Sequence, residues 1–452
     1  MHRGSYSVIL KKKINGFNKV IQADSDKSIS IRAFLIGAIS EGISEISNIL
    51  KSDDVYSTIS CLKKLNIKIK EIGPKKFQVF GKGLGSFSAK KNTILNFGNS
   101  GTLARLLISI LSTTPGLNLK FTGDKSLNKR NMDEIINLMR KFGANFYPKN
   151  KKTLPLNMIS SDMPVRIFYE AGVSSQIKSG VILASLNAFG NSRITENKNI
   201  QSRDHTENIL IKNSEMIKVK KTKSKNFINI YGKNNIKSTK YSVMGDPSTA
   251  AFYASIAMLV PGCNLKIKNV GLNPKRIGFY RLMKKHGAKI IFKNIKKNKI
   301  NEIYGDIQIK SSKLRPIKAK ANIYPSMPDE YPISFVIAAL TEGIHTFKGI
   351  SELSNKESSR AKEMKKILDQ IGIKSKLTKN EFKIFGTKNF KRKLIKVSSL
   401  GDHRICMSTV VLSLVSSCPA SIKGFETVKT SSPNFLSTIK LLGGKFETKK
   451  AS

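Results

Sequence analysis

One pattern recurs six times along this chain: an apolar, helix-like run, then a turn residue, then a short strand of alternating character. The copies read GAISEGISEISNI from Gly37, SILSTTPGLNLKFTG from Ser109, LASLNAFGNSRITEN from Leu183, IAMLVPGCNLKIKNV from Ile256, AALTEGIHTFKGI from Ala338 and LSLVSSCPASIKGF from Leu412. Their turn residues, Gly42, Gly116, Gly190, Gly262, Gly343 and Cys418, are spaced by 74, 74, 72, 81 and 75 residues. A second helical run ends in the same period at Gly143, Gly287, Gly372 and Gly443. Glycine suits that position because the residue after a helix commonly takes the left-handed backbone that a Cβ resists. Each unit of about 75 residues therefore holds two helices and about four strands. Units of this size exceed a solenoid repeat, so the period predicts two globular domains of three units each, facing one another.

The unusual residues share one phase of this repeat. Asp26, Asn99, Ser174, Asp246, Asp329 and Asp402 each stand 14 to 17 residues before a turn residue, where the first helix of the unit begins. Asp, Asn and Ser are ordinary N-caps, and capping accounts for them singly. It does not account for Lys27, Arg32, Arg105, Lys178 and Arg404 in the first turns, because the helix dipole already places partial positive charge there. An anion at the helix ends reverses that sign, accepting backbone N–H bonds and charge-assisted bonds from Lys or Arg. The phase thus predicts a basic cleft for small anionic substrates, with Gly98 and Gly101 letting an anion approach the backbone. GKGLG from Gly81 has no helix after it and reads as a turn.

The chain has 452 residues, 80 basic and 30 acidic, a formal net charge of +50. That excess admits a nucleic-acid-binding protein without catalysis, for which steep salt-dependent DNA binding and no phosphate release would speak. The basic residues, however, run along the whole chain with abundant Ile and Asn, and no zinc finger, RNP-like strand or helix-turn-helix stands out. Solvated lysine faces are the expectation, with no nucleic acid and no membrane as partner. No apolar run approaches a membrane span and the first residues lack a signal-peptide core, so the expected place is the cytoplasm. Cys61, Cys263, Cys406 and Cys418 lie far apart and read as buried, reduced thiols, with no metal implied.

DKSISIR, GNSGTLARLL, SLNKR, SSQIKS, SRDHTE, GDPS, PDEYP, NKESSR and GDHRI occur in this order. Together they resemble the 5-enolpyruvylshikimate-3-phosphate synthase family over essentially the whole chain, most closely its branch with SISxR and RDHTE segments. The resemblance implies an α/β fold of two domains, each of three βαβαββ repeats around buried parallel helices, an inside-out α/β barrel with six pseudo-repeats in total. It implies one domain over residues 24–243 and a discontinuous one over 1–23 and 244–452, with hinges near 22–25 and 242–246. The implied reaction moves the enolpyruvyl group of phosphoenolpyruvate to the 5-hydroxyl of shikimate 3-phosphate and releases phosphate. It runs by addition and elimination through a tetrahedral intermediate, in a monomer, without metal or organic cofactor, on the route to chorismate and the aromatic amino acids.

By the same resemblance Lys27, Asp329 and Glu357 are catalytic: Asp329 beside the 5-hydroxyl, Glu357 near the methylene carbon, Lys27 touching both substrates and protonating the bridging oxygen. Lys27, Ser28, Arg32, Ser174, Ser175, Gln176, Arg203, Asp329 and Lys356 match contacts to shikimate 3-phosphate. Lys27, Gly101, Arg130, Gln176, Arg360 and Arg404 match contacts to phosphoenolpyruvate, where bidentate geometry favours Arg over Lys. Read without the motif, Glu357 and Arg360 would be an exposed i,i+3 pair, and Asp329 a helix cap able to present its second oxygen. Glycine at Gly101 implies inhibition by glyphosate, which occupies the phosphoenolpyruvate site in sensitive members. Four positions depart from the family pattern: Asn131 follows Arg130 where proline is usual, TSSPNF from Thr430 replaces an aromatic-Pro segment, Lys429 lies one residue off a family lysine, and Ile31 replaces a polar residue. The sister transferase acting on UDP-N-acetylglucosamine carries a reactive cysteine in a mobile loop, and none of the four cysteines here lies in a comparable glycine-rich basic loop.

Overall fold

The computed structural model describes residues 4–450. Its contacts divide the chain into a central unit, Ser25–Met244 with Lys297–Ile303, and a terminal unit, Met1–Asp24, Gly245–Lys296 and Tyr304–Ser452. The chain opens with β1 (Tyr6–Leu10) and β2 (Asn18–Gln22). The central repeats follow: α1 (Lys27–Ala38), β3 (Glu41–Ser47), α2 (Asp53–Lys64), β4 (Lys68–Gly73) and β5 (Lys76–Lys82); then β6 (Thr93–Asn96), α3 (Gly101–Ser112), β7 (Asn118–Thr122), α4 (Asp133–Lys141), β8 (Asn145–Tyr147) and β9 (Leu156–Ile159); then β10 (Phe168–Ala171), α5 (Ser175–Ser185), β11 (Asn191–Asn197), α6 (His205–Asn213), β12 (Ile217–Lys221), β13 (Lys225–Tyr231) and the closing β14 (Lys240–Ser242). The terminal repeats are α7 (Pro247–Leu259), β15 (Asn264–Gly271), α8 (Gly278–Lys285), β16 (Lys289–Lys297) and β17 (Ile303–Lys310); β18 (Lys318–Ala319), α9 (Tyr331–Ala339), β19 (Gly343–Lys348), α10 (Arg360–Gln370), β20 (Ser375–Leu377) and β21 (Glu381–Gly386); and β22 (Ile395–Ser398), α11 (His403–Ser416), β23 (Ala420–Lys423), α12 (Phe435–Leu441) and β24 (Glu447–Lys450).

Among the described residues these strands form six four-stranded sheets of one design. In β6-β7-β9-β8 the first strand runs parallel to the second, the second antiparallel to the fourth, and the third takes the far edge. Parallel neighbours need a crossover, supplied by α3, whereas the antiparallel strands need only short turns. The closing strands come from far away in sequence. β14 pairs in parallel with β3 (Tyr241↔Ile46), β2 with β15 (Ile21↔Ile267), and β1 completes the last sheet against β23 and β24. Each crossing between units thus exchanges a strand: β2 precedes α1 but serves the repeat of α7, and β14 precedes α7 but serves that of α1. At the crossings the Asp26 N–H donates to the Met244 carbonyl at 2.8 Å, and the Asp246 N–H to that of Asp24 at 2.7 Å.

The first helix of each repeat is buried all round, as an apolar helix without a polar face must be. In α1 only Lys27 and Ser28 are not buried, in α3 only Arg105, in α5 only Ser175 and Gln176. In the terminal unit α9 is buried throughout, α7 except Leu259 and α11 except Val415. These helices pack on one another, α3 against α1 and α5, and α7, α9 and α11 mutually. Small residues allow the approach: a Cβ on Gly180 of α5 would lie 2.6 Å from Ser109 Oγ of α3. The second helices bury one face and show the other.

Five of the six turn residues take the left-handed backbone: Gly42, Gly116, Gly190, Gly262 and Gly343, with φ between 74° and 115°. In the sixth repeat Ser417 takes it (φ 66°), one residue before the expected Cys418. Gly143, Gly287, Gly372 and Gly443 end their helices at φ 77° to 99°, while α2 ends on Asn66 (φ 61°), the other residue that tolerates this region. Gly83 and Gly85 of the GKGLG segment form a turn with positive φ. The four cysteines are buried and free. No helix among the described residues is long and apolar enough to cross a membrane.

A Cβ on Gly443 would meet nothing within 4 Å, so its φ of 96° is the whole obstacle to a side chain. Gly443→Ala should destabilise by about 1–2 kcal/mol, lowering a thermal midpoint by about 2–8 °C for a unit of this size. Gly443→Asn should cost less, and an equal loss for both would show that φ is not the cause.

Candidate active site

In the central unit the sequence-predicted residues gather at the starts of α1, α3 and α5 and in the loops beside them. Asp26 caps α1, accepting from the Ile29 N–H at 2.9 Å, and the half-buried Lys27 that follows places Nζ 2.9 Å from Asp54 Oδ2. Asp54 is 3% exposed by side chain and stands in the first turn of α2, where an acidic residue reads as dipole compensation, so sequence reasoning passed over it. Arg32, one turn further on, donates Nε to Thr206 Oγ1 (2.9 Å), Nη2 to Ser179 Oγ (3.0 Å) and Nη1 to the Ser28 carbonyl (3.1 Å). Burial lowers this guanidinium to about 10, still charged near neutrality.

Ser100, not Asn99, caps α3, accepting from the Leu103 N–H. Asn99 instead accepts from Arg130 Nη2 at 2.7 Å and donates to Asp124 at 2.7 Å, which aims the arginine. A Cβ on Gly101 would lie 2.8 Å from Arg105 Nη1 and 3.0 Å from Arg130 Nη1. Gln176 ties the start of α5 to α3, accepting from Arg105 Nη1 (2.8 Å) and donating to Thr102 Oγ1 (3.0 Å). Ser174 caps α5, and Ser175 is its first residue. Asn131, where the family pattern has proline, accepts the Asp133 N–H at 2.7 Å and, by its carbonyl, Arg105 Nη2 at 3.1 Å.

Lys178 differs from the expectation of an anion-facing cation. It is fully buried, with Nζ 2.9 Å from Glu196 Oε1, 2.7 Å from Glu207 Oε1 and 3.4 Å from the Ser202 carbonyl. Lysine at the fourth residue of α5 points into the unit, and two carboxylates neutralise it there. Glu196 also accepts the Ser202 N–H at 2.9 Å, which fixes the loop carrying the half-buried Arg203.

In the terminal unit one guanidinium organises the carboxylates. Arg360, 1% exposed, places Nη2 2.6 Å from Glu357 Oε2, Nη1 3.3 Å from Asp329 Oδ1 and Nε 3.0 Å from Asp402 Oδ2. The three carboxylates outweigh desolvation and hold its pKa above the ordinary arginine range. The Glu357–Arg360 pair is therefore part-buried rather than an exposed helix pair. Nor is Asp329 a cap: the N-cap position of α9 is Glu330, and Asp329 faces Arg360 and, at 3.7 Å, Arg276. Asp402 caps α11 through the Arg404 N–H (2.9 Å) and takes Arg360 with its other oxygen. Arg404 is 4% exposed, lies 5.7 Å over the Phe252 ring, and has no hydrogen-bond partner at Nε or Nη1. Lys356 is half-buried beside Glu357. Lys429 sits 5.3 Å over the Tyr6 ring, and the TSSPNF segment binds Asp24 through Ser432 Oγ (2.8 Å) and Asn434 Nδ2 (2.7 Å). Among the described residues no group of three His, Cys, Asp or Glu is arranged to hold a metal ion.

The arrangement offers a guanidinium-held pair of carboxylates and several buried or half-buried cations on helix starts. A family model described as EPSP synthase (3-phosphoshikimate 1-carboxyvinyltransferase) matches residues 11–439. The chain belongs to the EPSP synthase family. Relatives named 3-phosphoshikimate 1-carboxyvinyltransferase include those of Paramagnetospirillum magneticum, 35% identical over 93% of this chain and 94% of the relative, and Bacillus licheniformis, 35% identical over 96% and 99%. The solved EPSP synthase of Acinetobacter baumannii superposes with a TM-score of 0.83 at 31% identity, covering 98% of this chain and 100% of that one. The enolpyruvyl transferase NikO of Streptomyces tendae shares the fold at a TM-score of 0.74 and 11% identity over the full length of both chains. The six-repeat architecture is thus that of the EPSP synthase family and of a more distant enolpyruvyl transferase.

Removing one partner of a buried charge cluster strands the rest. Lys178→Met should destabilise by about 3–5 kcal/mol, read by urea denaturation, whereas exposed Lys149→Met should change stability by less than about 0.5 kcal/mol. Similar small effects for both would show that the Lys178 cluster is not internally compensated.

Proposed function

We infer that this chain transfers the enolpyruvyl group of phosphoenolpyruvate to the 5-hydroxyl of shikimate 3-phosphate, with release of phosphate. The observation that carries the reading is the Arg360 guanidinium, which holds Asp329 and Glu357 on its two terminal nitrogens. The addition step needs one group to take the hydroxyl proton and another to protonate the methylene carbon, and the two carboxyl groups placed by one buried cation supply them, Asp329 as carboxylate and Glu357 in its protonated form. Asp329 takes the proton from the 5-hydroxyl as its oxygen bonds to C2 of phosphoenolpyruvate, while C3 gains a proton from Glu357. Glu357, left as a carboxylate, then takes a proton back from that methyl group as the C2–O bond to phosphate breaks, which restores the double bond. Lys27 touches both substrates and protonates the bridging oxygen as phosphate leaves.

Arg404 supports an anion site on its own account, since buried donors without partners are costly unless a ligand takes them. In the proposal Arg404, Arg130, Arg360, Lys27, Gln176 and the Gly101 backbone bind phosphoenolpyruvate, and Lys27, Ser28, Arg32, Ser174, Ser175, Gln176, Arg203, Asp329 and Lys356 bind shikimate 3-phosphate. Residues 22–25 and 242–246 are taken as the hinges between residues 24–243 and the remainder. The enzyme is taken as a cytoplasmic monomer; free, buried cysteines suit a reducing compartment, and the apolar helices are covered within their own units.

Phosphate release from phosphoenolpyruvate should require shikimate 3-phosphate and not proceed with UDP-N-acetylglucosamine. Asp329→Ala and Glu357→Ala should each lower kcat by about 10²- to 10⁴-fold; release that is independent of the acceptor, or unaffected by both changes, overturns the reading. Glyphosate should inhibit. Gly101→Ala, whose methyl would press on the Arg105 and Arg130 guanidinium ends, should relieve that inhibition, and equal inhibition of both forms would refute the steric argument.

A further inference from the structure

Arg276, in the loop between β15 and α8, is 3% exposed, and no part of the sequence analysis singled it out. Its Nη2 lies 2.9 Å from Asp246 Oδ1, and its Nη1 donates to Ser248 Oγ at 2.6 Å. The same Nη1 stands 3.5 Å from Glu330 Oε1 and 3.7 Å from Asp329 Oδ2, and Ser248 Oγ in turn donates to Glu330. Asp246 and Ser248 belong to the start of α7, Glu330 and Asp329 to the start of α9. One planar guanidinium therefore joins two helix starts, and its partners on α7 dictate the direction in which it meets Asp329. A lysine could supply the charge but not the fork.

Asp329 lies between two such groups. Arg360 approaches one carboxylate oxygen at 3.3 Å and Arg276 the other at 3.7 Å, so rotation of the carboxylate separates charges at both ends. Resting on the acid–base reading of Asp329 above, we propose that Arg276 is a positioning residue for the reaction, acting through Asp329 by fixing the orientation of its carboxylate. The charged and titratable groups facing Asp329 include Arg276 from the β15–α8 loop, Arg360 with Glu357 beside it from the start of α10, the neighbouring Glu330, and the Tyr324 phenol, which feels both Asp329 and Arg360. Of these Arg276 is the cation whose removal leaves the Glu357–Arg360–Asp402 contacts in place.

The experiment measures kcat, both KM values and the pH profile of kcat for Arg276→Gln and Arg276→Lys, each with a melting curve, and repeats Arg276→Lys in an Asp329→Asn background by single-turnover phosphate release. Arg276→Gln is expected to lower kcat about 10- to 100-fold with KM values little changed, and to move the acid limb of the profile to higher pH, because a carboxylate that loses a nearby cation protonates more readily. Should Arg276→Gln not fold, Arg276→Lys carries the test: it keeps the charge, so kcat falls while the acid limb stays. In the Asp329→Asn background Arg276→Lys adds no further loss, since its effect passes through the missing carboxylate. An equal loss in both backgrounds, an unchanged kcat, or a loss confined to KM overturns the positioning role. Full activity of Asp329→Asn alone overturns the reading of Asp329 instead, and the proposal with it.

Discussion

A helix that is apolar on every side can meet substrate only at its ends, and the rest of this structure follows from that constraint. Each unit is built on three such helices, whose middles are closed to solvent. Many polar residues in them, or just past their ends, are small hydroxyls that bond one turn back: Ser30 on Asp26, Ser40 on Ile36, Ser109 on Arg105, Ser112 on Ile108, Ser185 on Val181, Ser255 on Ala251, Ser334 on Glu330 and Thr409 on Ile405. Bonds of this kind keep the helices narrow enough to pack closely while satisfying these hydroxyls internally. The residues proposed for the site are then confined to the first turn or the loop before it, which is where Lys27, Gly101, Gln176, Asp329 and Arg404 stand.

Three buried cations inside the units are compensated by carboxylates, whereas buried Arg32 is met by neutral acceptors. Lys178 is met by two glutamates, Arg360 by three carboxylates, and Arg276 by Asp246, Glu330 and Asp329. Each cluster joins elements from different parts of a repeat, so the charges also define register. Arg404 differs from all of these: its guanidinium rests on an aromatic ring with donors left over, a geometry that favours an incoming anion over a permanent partner.

Outside the units the excess of basic residues has a structural use. Five of the six far-edge strands carry exposed lysines: Lys68 and Lys70 on β4, Lys218, Lys220 and Lys221 on β12, Lys289, Lys293, Lys296 and Lys297 on β16, Lys376 on β20, and Lys449 and Lys450 on β24. Lysine on an open edge opposes pairing with another chain, a hazard that six separate small sheets would otherwise multiply. Part of the +50 formal charge thus reflects the number of edges in the fold.

The sixfold period, the two helices per repeat and the placement of the proposed site residues at helix starts were legible in the sequence because each is local: a turn glycine, a capping side chain and an apolar run lie within one repeat. Where a different residue does the same work, the local signal slipped, as at Ser417 and Asn66, or at Ser100 beside Asn99. The tertiary structure alone decided which strands close the first, fourth and sixth sheets, since β14, β2 and β1 pair with partners some 200 or more residues away and their own patterns name no partner. It also decided the fate of each charge. Lys178 and Arg404 look alike in sequence, a cation in the first turn of a repeat helix, but one points at two glutamates and the other does not. Asp54, Thr206 and Arg276 were invisible for the same reason: a side chain's electrostatic role depends on what stands within a few ångströms, and folding brings those neighbours together from distant parts of the chain.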